Sequence, residues 1–240
     1  MERKETNDFK ITSKESDVAE FYIKHKYKIP YYFGFPKLVK LASSNIQQFL
    51  QISSNLFDEM ISSRSFDKST QISPSRQEQL VSKSVEHYWN EIKITIPNSE
   101  YVIPFLNSIG KFCFSETNFP AASYGPVTGI GLSVNTVKIL QNESVKKTNS
   151  RYKILSDVIS TCLAYNLLEP LPDSKQGKKG TKYLILYLNP MLCFWYELPL
   201  SYGGWREKNL DVLCSYYEEK FLPKRKQTLD FSSQRILEET

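Results

Sequence analysis

Apolar residues recur at helical spacing along most of the chain. Ser16 to Lys26, "SDVAEFYIKHK", predicts a short helix, and "IPYYFGFP" must break it, because Pro30, Gly34 and Pro36 fit poorly inside one. Next, Ile46, Phe49, Leu50, Leu56, Phe57, Met60 and Ile61 form a stripe on one helix, with Ser44 as N-cap and Gln47 completing a capping box. A serine-rich connector, 62–73, leads to Pro74, which opens a helix over 74–92. That helix turns Leu80, Val81, Val85, Tyr88, Trp89 and Ile92 inward. The stripes predict the core of a small helical bundle.

The stretch "KITIPNSE" (93–100) marks a candidate domain boundary. Beyond it, Val102, Phe105, Leu106, Ile109, Phe112 and Cys113 predict a helix over 101–114. Residues 116–133, "ETNFPAASYGPVTGIGLS", contain Pro120, Pro126 and three glycines, so they read as an irregular loop leading to a short helix near 134–140. Ser150 to about Leu168 predicts a long helix, with Ile154, Leu155, Val158, Ile159, Cys162, Leu163 and Leu167 on one face. "EPLPDSKQGKKG" then reads as a basic turn, and "TKYLILYLN" as a strand by its β-branched and aromatic content. A last helix, over 207–221, carries Leu210, Leu213, Tyr216, Tyr217 and Phe221.

Helix, short helix, long helix, basic hairpin tip and strand follow in the order of a winged helix. The expected fold class is therefore mainly α: a helical bundle followed by a winged-helix domain with a small β-wing. The expected division is a flexible N-terminus at 1–15, the bundle at 16–95, the winged-helix domain at 96–222 and a charged tail at 223–240. "LPLSYGGWREKNL", 198–210, falls between the strand and the last helix and reads as a corner. There Gly203 and Gly204 take positive φ, Trp205 plugs the bundle, and Arg206 and Glu207 open the helix. Base stacking by Tyr202 and Trp205 requires both rings to be exposed beside a basic face.

At 240 residues and 40% hydrophobic content, the chain can bury one sizeable core or two smaller ones. No window reaches the 18 or so uncharged apolar residues of a membrane helix. The charged N-terminus has no apolar signal region. Cys113, Cys162, Cys193 and Cys214 lie far apart without a CxxC pair, which predicts reduced thiols in the cytoplasm rather than a disulfide framework. His25 and His87 are too distant to form a local metal pair or to assemble a triad. "GKKGTK" (177–182) lacks Walker spacing and leads into a strand rather than a helix. "GPVTGIG" (125–131) lacks the Rossmann context, so it is read as turns; a catalytic use of the 117–131 loop would need a polar pocket around Tyr124 and Thr128. The expectation is a non-catalytic protein without cofactor or metal.

Net charge is only +5, but the cations cluster. A winged helix needs cations where the third helix enters a groove and where the wing meets flanking backbone. Lys146, Lys147, Arg151 and Lys153 stand at the first place, and Lys175, Lys178, Lys179 and Lys182 at the second. Arg206 is the one outward contact of the corner. Helix N-terminal amides at Ser150 would add to phosphate attraction. The expected partner is double-stranded DNA. A solvated wing on a protein-interaction module, docked on an ATPase or effector subunit, is the alternative.

"IPYYFGFPKLVKLASSNIQQFLQISSNLFDEM" and "NLLEPL…KYLILYLNPMLCFWYELPLSYGGW" together resemble the lid and winged-helix segments of bacterial AAA+ ATPases related to the origin-recognition initiators. The resemblance spans about residues 17–220, in patches at 30–60, 117–131 and 183–206. It implies an AAA+-lid-like bundle and association with an ATPase-based DNA machine. The ATP-binding module that precedes such a lid has no counterpart here. An arginine expected just after Asn45 is replaced by Ile46, Gln47 and Gln48, so arginine sensing of a γ-phosphate does not carry over.

Overall fold

A computed structural model describes residues 13–43, 45–67, 71–118, 125–174, 182–200 and 203–218. The first half is helical: α1 (Ser13–Tyr27), α2 (Phe35–Ala42), α3 (Ile46–Asp67) and α4 (Pro74–Thr95). Pro30 and Gly34 break the chain as expected, and Gly34 takes a φ of 81° that side chains rarely adopt. Pro74 opens α4 beneath Ser73, whose hydroxyl accepts from the Arg76 amide. Ser44, expected as the cap of α3, lies outside the described residues. The cap is Asn45, whose Oδ1 accepts from the amides of Gln47 and Gln48 at 3.0 and 3.3 Å.

The stripe on α3 divides. Phe49, Leu56 and Met60 are half-buried beside the fully buried Ile52, whereas Ile46, Leu50, Phe57 and Ile61 face solvent. The reason is packing: among the described elements α3 meets chiefly α2 and α4, along one side, and the other part of its apolar arc stays exposed.

Residues 93–100 form the end of α4, a three-residue turn through Asn98 at a φ of 55°, and the start of α5 (Ser99–Thr117). β1 (Val127–Ser133), α6 (Val134–Gln141), α7 (Glu143–Thr148) and α8 (Ser150–Ala164) follow. Then come β2 (Leu168–Ser174), β3 (Tyr183–Leu188), α9 (Pro190–Trp195), β4 (Gly204–Glu207) and α10 (Leu210–Tyr217). The mainly helical class holds, with one four-stranded sheet in the order β2-β3-β1-β4. β1 and β2 flank β3 antiparallel, and β4 lies parallel on the other edge of β1.

Two expectations fail here. The glycine-rich 127–133 is a buried central strand rather than a loop. Ile130 and Leu132 point into the core opposite Leu186 and Leu184, while Gly129 and Gly131 leave room on the other face for the rings of Tyr187 and Trp205. A Cβ on Gly129 would stand 2.7 Å from the Tyr187 ring and 2.9 Å from the Leu186 carbonyl. The late corner is also a strand. Gly203 and Gly204 have no positive φ, and it is the missing side chain of Gly203 that lets the chain close on β1, because a Cβ there would collide with the Pro126 carbonyl. The Gly204 amide donates to the Pro126 carbonyl at 2.6 Å and the Gly203 amide to Thr128 Oγ1 at 2.7 Å. Arg206 and Glu207 belong to β4, and α10 opens later, under Asn209. Trp205 packs on the sheet against Gly131 and Tyr183 rather than into the helices.

One contiguous core runs from Phe21 to Tyr217. It holds α5, α8 and α10 against the Ile130–Leu186 face, through Phe105, Ile109, Leu155, Val158, Leu213 and Tyr216. The helical first half joins it at α9. Trp89 stacks on Trp195 with centroids 5.3 Å apart, and the buried Tyr32 hydroxyl donates to the Leu198 carbonyl at 2.8 Å.

Candidate nucleic-acid interface

The segment that should present cations to a groove is a run of three capped helices. Ser133 caps α6, Asn142 caps α7 and Asn149 caps α8, each side chain accepting from the amides of the first turn. Asn149 Oδ1 takes the Arg151 and Tyr152 amides at 3.1 and 3.3 Å. Two of the amides expected to attract phosphate at the start of α8, those of Arg151 and Tyr152, are therefore taken by the cap.

The structure divides the nine cations into three groups. Lys146, Arg151 and Arg206 are each held in an ion pair with a carboxylate of the protein. Lys146 pairs with Glu143 one turn back and is largely covered. Arg151 makes a two-pronged contact with Glu218, Nε to Oε1 at 2.6 Å and a terminal nitrogen to Oε2 at 3.2 Å, and the carboxylate pushes the guanidinium pKa up. Its carbonyl also accepts from the Tyr217 hydroxyl at 3.0 Å, so Arg151 clamps α10 to α8. Arg206 shares a face with Ile130, and its Nε reaches Glu116 of α5 at 3.2 Å.

Lys147, Lys153 and Lys182 form the second group. Each is exposed and makes no ion pair among the described residues. Lys175, Lys178 and Lys179 lie outside the described residues, as do Tyr124 and Tyr202. By sequence, these three lysines connect β2 to β3, adjoining Lys182.

Sequence reasoning missed the acids that neutralise the first group. Glu143 was readable, three residues before Lys146. Glu218 and Glu116 lie 67 and 90 residues from their arginines, and no local pattern links them. It also missed Lys138, exposed on α6.

Other chemistry is sparse among the described residues. No three His, Cys, Asp or Glu side chains gather as a metal site, and no helix is long and apolar enough to cross a membrane. The Thr128 hydroxyl is buried and accepts from the Gly203 amide, so it is engaged in closing the chain on β1. Trp205 is half-buried against Tyr183, with centroids 4.9 Å apart.

No curated protein and no solved structure matches this chain. A family model described as ORC-CDC6-like matches residues 6–206, including the patches that carried the resemblance. Its span runs from before α1 through the Arg206 of β4, covering both the helical first half and most of the sheet. The chain thus belongs to the ORC-CDC6-like family and is related to origin-recognition AAA+ ATPases.

Proposed function

We propose that this chain is a non-catalytic, cytoplasmic DNA-binding protein, the C-terminal part or a separate subunit of an ATPase-based DNA machine. In this reading residues 16–95 are its lid-like bundle and residues 96–222 a winged helix that grips duplex phosphates. Family membership supports the association with DNA machinery.

The observation that carries the reading is topological. α5, β1, α6–α7 and α8 precede an antiparallel β2–β3 hairpin, β3 pairs with β1, and the residues joining the hairpin, 175–182, hold four lysines. That order and pairing support the winged-helix reading, in which α8 is the groove helix and 175–182 the wing. Lys147 and Lys153 flank the start of α8, and Lys182 adjoins the wing in sequence. The pairing of Lys146, Arg151 and Arg206 assigns those three to the scaffold, leaving six lysines for phosphate.

Six neutralised phosphates give a slope of log K against log salt of about −5. A fluorescence-anisotropy titration with a short duplex reads that slope. Lys178→Glu with Lys179→Glu should cut affinity and flatten the slope by about two. No binding at low salt, or binding unchanged by that double substitution, would sink the reading.

A second reading, docking on a separate ATPase or effector subunit, is favoured by Tyr22, Ile23, Tyr27 and Ile29, which leave apolar surface exposed around the end of α1. Tyr27→Asp with Ile29→Asp then abolishes binding to that subunit and leaves duplex binding intact.

A further inference from the structure

α3 is apolar on two sides. Its inner side packs Phe49, Ile52 and Leu56 on α2 and α4. Its outer side exposes Ile46 (68%), Leu50 (59%), Phe57 (56%) and Ile61 (50%). At 3.6 residues per turn these four fall within about 60° of arc, a narrow stripe some four turns long. Together the two sides make an apolar arc of about 180°, wider than the roughly 100° stripe that a single core-facing side needs.

The spacing of the stripe identifies what covers it. Ile46 and Ile61 lie equally far from the midpoint between Ser53 and Ser54, and so do Leu50 and Phe57. Turned end over end, the stripe lands on itself. An antiparallel copy centred on the two serines sets Ile46 against Ile61 and Leu50 against Phe57, twice each. That is the requirement of an isologous two-fold interface, in which one patch must complement itself. The small serines sit at the crossing point, where bulk would hold the helices apart.

Charge agrees with this. From 46 to 62 the exposed flanks carry Gln47, Gln51 and Ser62, with Asp58 their one acid; Glu59 is turned to Arg76. In the two-fold arrangement the two copies of Asp58 stand roughly 13 Å apart along the axis, beyond the screening length at physiological salt. The area is also sufficient. Phe35 and Val39 of α2 are exposed too, and Phe35 meets Phe49 edge-on at 6.2 Å. These six side chains expose on the order of 600 Å², and a symmetric pair buries about twice that, the lower end of stable interfaces.

We infer that the outer face of α3 joins two copies of this chain in an antiparallel two-fold dimer centred between Ser53 and Ser54. The interface is independent of the DNA reading, and duplex binding by monomeric variants tests that reading separately.

The experiment is light scattering and sedimentation of the full chain at micromolar concentration. The wild type runs at twice 27.9 kDa. Leu50→Lys alone and Phe57→Glu alone each raise the dissociation constant at least about 30-fold and give monomers with unchanged helical circular dichroism, since both side chains are more than half exposed and neither belongs to the core. Mixing the two variants restores a dimer. The introduced lysine faces the introduced glutamate across one half of the two-fold, and the native Leu50–Phe57 pair fills the other. A monomeric wild type overturns the inference, even if it captures a different subunit through this stripe. So do single variants that remain dimers, and so does a mixture that stays monomeric.

Discussion

Replacing Gly110 by Ala sets two magnitudes against each other. Gly110 lies inside α5, where alanine gains about 1 kcal/mol of helix propensity over glycine. The added methyl, however, would collide with the ring of Tyr196, meeting three of its carbons below any real contact distance. Tyr196 has nowhere to go. Its ring is buried, lies edge-on to Trp89 with centroids 6.0 Å apart, and donates its hydroxyl to Asn107 Oδ1 at 2.9 Å. Overpacking of this kind costs about 1–3 kcal/mol, and displacing the ring forfeits about 1 more for the hydrogen bond and ~0.5–1.5 for the aromatic contact. The balance is a loss of about 2–4 kcal/mol, which in a chain of this size lowers Tm by roughly 5–15 °C. Thermal melts followed by circular dichroism measure it. Tyr196→Leu supplies the control, because without the ring the alanine should be neutral or stabilising, giving a coupling energy of at least about 2 kcal/mol. A Gly110→Ala protein that melts at or above the wild-type temperature refutes the reasoning, and so does a coupling of zero.

Other outcomes follow from single groups. Asn149→Ala removes the cap from two amides of α8 and lowers stability by about 1 kcal/mol, read from urea midpoints. Burial, with the Phe21 ring 4.5 Å away, holds the His25 pKa below the ordinary 6.5. The unfolded chain therefore binds the proton more readily, so stability is full above pH 6.5 and falls as pH drops below it. His25→Gln should remove that part of the slope between pH 7 and pH 5 in the same urea assay. Burial also pushes the thiols of Cys113, Cys162, Cys193 and Cys214 up, so all four should resist a thiol reagent in the native protein and react once it is denatured.

What the sequence disclosed depended on whether a pattern had one meaning. α5, α6 and α8 were legible because each has a single apolar side and punctuation at its ends. β3 was legible because "YLILYL" has no competing helical reading. β1 was missed because three glycines and Pro126 outweighed a period-two signal: Ile130 and Leu132 alternate with glycines that exist to seat aromatic rings. The late corner hid β4 for the same reason. The α3 stripe was seen but misjudged, since periodicity locates an apolar face without saying whether the chain itself will cover it. At the candidate interface, counting cations was straightforward. Which cations are free depends on Glu116 and Glu218, brought in from distant elements by the fold.

The hydroxyl that Tyr32 offers to the Leu198 carbonyl also sets a timetable for biosynthesis. The acceptor is 166 residues away, and β1 cannot gain its parallel neighbour until Trp205 has been made. While the end of a nascent chain is still shielded by the ribosome, most of the protein is synthesised before its first helices can be fastened to the later elements. Contacts of such range slow folding and leave apolar surface open to aggregation in the interval. Truncations that stop before β4 should therefore accumulate as insoluble material rather than as a smaller folded protein.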